Sequence, residues 1–189
     1  MITDKPPRKP TIKEEYIRSE ALRILALPPA DPLRQLAADL EQAMKADDRS
    51  KIQKICNAIS SEVCASFGVA PATVRVLGAR PLKERGDWVD ETYGDYTFET
   101  ACIRLWMRTA INEKVTSFGT LLSTLCHEIC HHLDVIHFEF PNTFHTLGFY
   151  ERAGLLYHHV RGTPRRTLVW DQLRDGTFRI NWPKTMRRM

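Results

Sequence analysis

"HEICHHLDVIHFEFPNTFHTLGF", His127 to Phe149, holds five of the chain's seven histidines, the other two being His158 and His159. Its first five residues, His127-Glu128-Ile129-Cys130-His131, have the pattern H-E-x-x-H. On an α-helix the i and i+4 side chains leave one face a turn apart, so His127 and His131 can share one metal ion. Glu128 then lies within reach of a metal-bound water without being a ligand, which suits a general base.

The helix has independent support. Leu121, Leu122, Leu125, Cys126, Ile129, Leu133 and Ile136 mark one face of a long helix from Ser117 to about Ile136. His127, Glu128 and His131 avoid that face. Cys126 and Cys130 fall on it and read as buried thiols rather than ligands. His132 points about 100° from His131 and reads as solvent-facing or a hydrogen-bond partner. Pro141 breaks the run, Asn142 or Thr143 can cap, and a last helix is expected from about Phe144 to His159, with Phe149, Ala153 and Leu156 inward and Gly162 and Pro164 ending it.

A zinc site of the catalytic type needs a third protein ligand and an open position. The candidates are Asp134, His137, His145, Glu139 and Glu151. Asp134 lies about 10 Å along the helix from His127, so it suits a partner holding His131 or a cap at the helix end. His137 has the ten-residue spacing of the longer metzincin pattern, with Asp134 standing where that pattern has glycine. His145 follows the Pro141 break, on the expected first turn of a helix crossing the first, with Phe149 at i+4 to anchor that turn. His145 is the favoured third ligand and His137 the rival.

Outward from the motif, Thr97 to Arg108 alternates, with Ala101, Ile103, Leu105 and Met107 on one face, and Thr73 to Leu77 has β-branched character. These are the expected strands. The polar segment between them contains Trp88 and, with Tyr93 and Tyr96, offers aromatic residues to line a cleft. Ile52, Ile55, Ile59, Val63 and Phe67 mark a helix that stops at Gly68. Before it, Asp31 with Pro32 opens a helix to about Ala46, and Ile17, Leu22 and Leu25 suit a first helix ending before Pro28. Residues 1 to 13, rich in Pro and Lys, read as a loose leader. A C-terminal hairpin of Thr167 to Trp170 with Thr177 to Asn181 is expected around Asp175-Gly176.

The whole is an α+β chain of 189 residues, long enough for one compact domain. Residues 1–47 form a leader and helical extension, 48–165 the catalytic core, and 166–189 a basic segment packed on or near that core. Hydrophobic content of 43% and charged content of 26% suit a globular protein. There is no apolar run long enough for a membrane span and no secretory signal, and five unpatterned cysteines suit a reducing compartment, so a cytoplasmic protein with free thiols is expected. From Arg161 onward eight Lys or Arg face Asp171 and Asp175 within a total charge of +4, a distribution that would allow nucleic-acid contact.

"LCHEICHHLD" followed by "HTLGF" resembles the SprT-like family of zinc metallopeptidases, over about residues 48 to 162. The resemblance implies a minimal zincin-type fold with a small mixed or antiparallel sheet, Zn2+ as cofactor, protein or peptide substrates, and in some relatives a role at DNA-bound proteins. The residues themselves give zinc on His127, His131 and His145 with Glu128 as the base, and the strand Ala101 to Met107 as the partner for extended substrate. Tyr150, Tyr157 and His158 are candidate donors to an oxyanion. The alternative reading is a non-catalytic metal-binding or nucleic-acid-associated module on the same scaffold. The loose leader and basic tail raise a further expectation, that the termini inhibit the site.

Overall fold

Ser117 begins the helix that organises the molecule: its Oγ accepts from the Thr120 N–H at 3.1 Å, capping α4, Phe118–Ile136. The computed structural model describes residues 1–85 and 88–187, with the backbone alone at 82–85 and 88–90. It is a mixed α+β fold, in chain order α1 (Pro10–Ala21), α2 (Ala30–Lys45), α3 (Arg49–Ser66), β1 (Thr73–Ala79), β2 (Leu82–Arg85), β3 (Trp88–Glu91), β4 (Gly94–Thr97), β5 (Cys102–Arg108), α4, α5 (Leu147–Arg161), β6 (Trp170–Gln172), β7 (Phe178–Ile180) and α6 (Trp182–Arg187). Among the described residues no helix is long and apolar enough to cross a membrane.

Leu121, Leu122, Leu125, Ile129 and Leu133 of α4 are at most 1% exposed and pack with Ile103, Leu105 and Met107 of β5 and with Ile52, Ile59 and Val63 of α3. Each such side chain contributes about 1.5–3 kcal/mol through burial. Leu33, Ala37 and Leu40 of α2 enter the same core, so the helical extension completes it. The sheet runs β1-β5-β4, with β5 parallel to β1 and antiparallel to β4; Val74 faces Ile103 and Tyr96 faces Ile103 from the other side.

This order corrects the expectation that the strand before α4 offers its edge to substrate. β5 is hydrogen-bonded on both sides and has no edge to give. The outer edge of β1 is also taken: Asn57 of α3 accepts from the Val74 N–H and donates to the Val74 carbonyl, and Gln53 accepts from the Val76 N–H. Among the described residues no strand pairs with the outer edge of β4. β5 also begins at Cys102 rather than Thr97, because Thr97 closes β4 and Ala101 turns the chain with φ +45°.

Two further expectations change at the N-terminus. α1 stops at Ala21 instead of running toward Pro28, because the carbonyls of Ser19 and Leu22 accept from Arg152 of α5. The leader is not loose. Thr3 exchanges bonds with Phe178, its N–H donating to the carbonyl at 2.8 Å and its Oγ1 accepting from the Phe178 N–H at 2.9 Å. The hairpin β6–β7 forms around Asp175-Gly176, but its first strand is Trp170–Gln172 rather than Thr167 to Trp170, paired with Phe178–Ile180.

Candidate metal centre

His127 and His131 leave α4 one turn apart, and the loop after Phe140 returns His145 to face them. The three Nε2 atoms lie 3.1 Å from one another. Tetrahedral nitrogen ligands about 2.0–2.1 Å from a zinc ion stand about 3.3–3.4 Å apart, so the trio is within a few tenths of an ångström of ligand spacing. His145 belongs to the loop rather than to the first turn of α5; Thr146 is the N-cap, its Oγ1 accepting from the Phe149 N–H at 3.0 Å. Phe149 is fully buried and its ring centroid lies 4.5 Å from His131, 4.9 Å from His127 and 5.1 Å from His145, forming the apolar floor of the triad.

Hydrogen bonding at the far side of two imidazoles fixes what converges in the middle. His131 Nδ1 is 2.7 Å from Thr143 Oγ1, which lies 3.5 Å from the acceptor Asp134 Oδ2. The hydroxyl therefore donates toward the carboxylate and accepts from Nδ1–H, leaving a lone pair on His131 Nε2. His145 Nδ1 faces Asp4 Oδ2 at 3.5 Å, which selects the same tautomer. Burial, with His145 nearby, pushes His127 down to about 3, and burial, with the other two histidines, holds His131 well below its ordinary value. Neutral imidazoles aiming lone pairs at one point repel unless a cation lies between them. The three histidines can hold a metal ion.

Glu128 is 6% exposed, and among the described residues nothing hydrogen-bonds its carboxyl. Burial, with Asp95 nearby, pushes it up to about 8. A carboxyl with no structural bond beside an ion site is free to handle a proton.

Asp134 does hold His131, though through Thr143 rather than directly. Both of its oxygens accept from Arg152 Nη2, at 2.7 and 2.8 Å, with both side chains fully buried. His131, Thr143, Asp134 and Arg152 thus form one connected series behind the triad. Thr143 holds φ +38° and its neighbour Asn142 is clamped by Glu15, whose carboxylate accepts from the Asn142 backbone at 2.8 Å and side chain at 2.6 Å. Neither Thr143 nor Asp4 was legible as part of the site; no residue pattern announces a threonine or aspartate that acts through tertiary contact.

The other candidates lie elsewhere. His137 ends α4, exposed, with its ring 5.1 Å from Phe67, and Glu139 is exposed at φ +58°. Glu151 pairs with Arg165 at 2.6 Å. Tyr150 donates its hydroxyl to the Ile2 carbonyl, Tyr157 Oη accepts from Arg161, and His158 bonds Thr163. Cys126 and Cys130 are core residues, as expected, with thiols pushed up by burial. His132 is a buried hydrogen-bond partner and not solvent-facing: it donates to the Ala70 carbonyl and accepts from Tyr96 of β4. That bond and the close approach of Gly94 to Thr124 set β4 against α4. Tyr93 stacks under Arg80, 3.8 Å from its guanidinium, while the Trp88 side chain lies outside the described residues. Of the C-terminal basic residues, Arg165 and Lys184 are paired with Glu151 and Asp171.

No family model matches the chain, nor does any curated protein or solved structure.

Proposed function

We propose that the protein is a zinc-dependent metallopeptidase, an endopeptidase that takes extended substrate on the edge of β4, on a SprT-like, minimal zincin-type scaffold. The observation that carries this reading is the convergence of His127, His131 and His145 Nε2 at 3.1 Å, on a helix where the buried, unbonded Glu128 directly follows His127. Three imidazoles with an open position form a donor set suited to zinc. Zinc bound there supplies Lewis acidity for the scissile carbonyl and for water.

The chain supplies the rest. Glu128 takes the proton from the attacking water and returns it to the leaving amine. Thr143 with Asp134 keeps His131 in its ligating tautomer, and Phe149 keeps one side of the site dry. Extended substrate adds to the outer edge of β4, which Gly94 and Tyr96 hold against α4 beside Glu128.

Glu128→Gln tests the reading. The variant should keep the zinc content of the wild type and lose hydrolysis of unfolded protein by about 10²–10⁴-fold, the usual contribution of a positioned proton carrier. A zinc-loaded wild type that cleaves no unfolded protein or peptide, or a variant of undiminished activity, overturns it. A non-catalytic binding module would be indifferent to the substitution.

A further inference from the structure

The first four residues are held on several sides. Ile2 bridges to Arg179, the Ile180 N–H donates to the Met1 carbonyl at 3.3 Å, and Thr3 exchanges two bonds with Phe178. Tyr150 donates to the Ile2 carbonyl at 2.9 Å and Tyr16 to the Asp4 carbonyl at 3.1 Å. The segment is thus bridged antiparallel to β7 of the hairpin, and its last residue arrives at the metal centre.

There Asp4 grips His145 reciprocally. The Asp4 N–H donates to the His145 carbonyl at 2.9 Å, and Asp4 Oδ2 accepts from the His145 N–H at 2.8 Å. The same Oδ2 faces His145 Nδ1 at 3.5 Å. His145 lies in a loop, outside the helix that fixes the other two histidines, so its aim depends on such outside contacts. A carboxylate is acceptor-only, so it holds Nδ1 protonated and turns the Nε2 lone pair toward the ion; it also makes the imidazole a better donor.

We propose that Asp4 is a positioning residue of the metal centre, by which the segment of residues 1–4, bridged to the hairpin β6–β7, orients the third ligand, His145. This rests on the metal reading of the triad but not on the protein being a peptidase. It places both ends of the chain in the supporting structure of the site.

The test is zinc affinity by competition with a chromophoric chelator, in the full chain, alongside thermal unfolding without metal. Asp4→Asn keeps an acceptor for the His145 N–H but loses the charge, and should bind zinc about tenfold more weakly with little change in metal-free unfolding. Asp4→Ala loses both and should approach a 100-fold loss. Thr3→Val removes a bond to Phe178 without touching His145, and should bind zinc nearly as the wild type does. Wild-type affinity in both Asp4 variants overturns the proposal, as does a Thr3→Val loss equal to that of Asp4→Ala, which would make the segment merely structural. A wild type that binds no zinc overturns the metal reading itself, whereas one that binds zinc and cleaves nothing overturns only the peptidase reading.

Discussion

Thr143 sits where backbone preference and site chemistry oppose each other. A β-branched residue at φ +38° is strained by about 1–3 kcal/mol, and it is retained in a loop clamped by Glu15. What the position supplies is a hydroxyl between His131 and Asp134. Thr143→Val separates the two effects, because valine keeps the branching and the strain while removing the hydroxyl. Zinc affinity should fall about tenfold, and metal-free stability by about 1–2 kcal/mol, since Asp134 loses a donor in a buried setting. Competition titration and denaturant unfolding measure the two quantities separately; an unchanged affinity would remove Thr143 from the metal centre. At this scale the sequence made the converging groups of the candidate site legible, and the residues behind them less so. His127, Glu128 and His131 are fixed by helical spacing, and His145 was distinguishable from His137 because Pro141 must break the helix and let the chain return. Thr143 and Asp4 were not legible, one being read as a possible cap and the other as part of a loose leader, because their roles arise only when distant segments meet.

Among the elements, the junction of α1 with α5 shows how tertiary contact overrides local preference. Ile17, Leu22 and Leu25 suit a longer helix, yet α1 ends at Ala21 because Arg152 draws the Ser19 and Leu22 carbonyls to itself. Gly148, on the first turn of α5, makes that approach possible: a Cβ built there would lie 2.2 Å from the Ser19 carbonyl oxygen and 2.6 Å from that of Glu20. In an exposed helix Gly→Ala stabilises by about 1 kcal/mol. Here the sign should reverse. Gly148→Ala should lower stability by about 1–3 kcal/mol or more, because the opposing atoms are backbone and cannot turn aside. A shift of the urea midpoint to higher concentration would show that the junction yields easily. Helix α4 was legible almost to the residue, since its apolar stripe is a local signal. Strand order was not: the hairpin β2–β3 and β4 intervene between β1 and β5, and no spacing tells which strand ends in the middle.

Over the whole molecule, the expectation that the termini inhibit the site remains a matter for truncation, and the contacts of residues 1–4 add a second relation between terminus and site. Residues 1–4 pair with the C-terminal hairpin and contact His145 by backbone and side chain, and in the reading proposed above they support that ligand. Metal binding and terminal order should then be linked. An ion that binds only the folded state stabilises it by RT ln(1 + [L]/Kd), about 4 kcal/mol at a free concentration 1,000 times Kd. That stabilisation is felt globally, but chelation should act first on the contacts nearest the ion. The Thr3 N–H donates to Phe178, and the Asp4 N–H donates to His145 itself. The α3 amides around Ile59 lie in the core beneath β1 and make no contact with the triad, so they open by larger unfolding events. On removing zinc, hydrogen exchange at Thr3, Asp4 and His145 should therefore accelerate at least tenfold more than exchange in α3. Equal acceleration everywhere would mean that the metal merely shifts global stability, and unchanged exchange at Thr3, Asp4 and His145 would mean that the segment holds its place without regard to the ion.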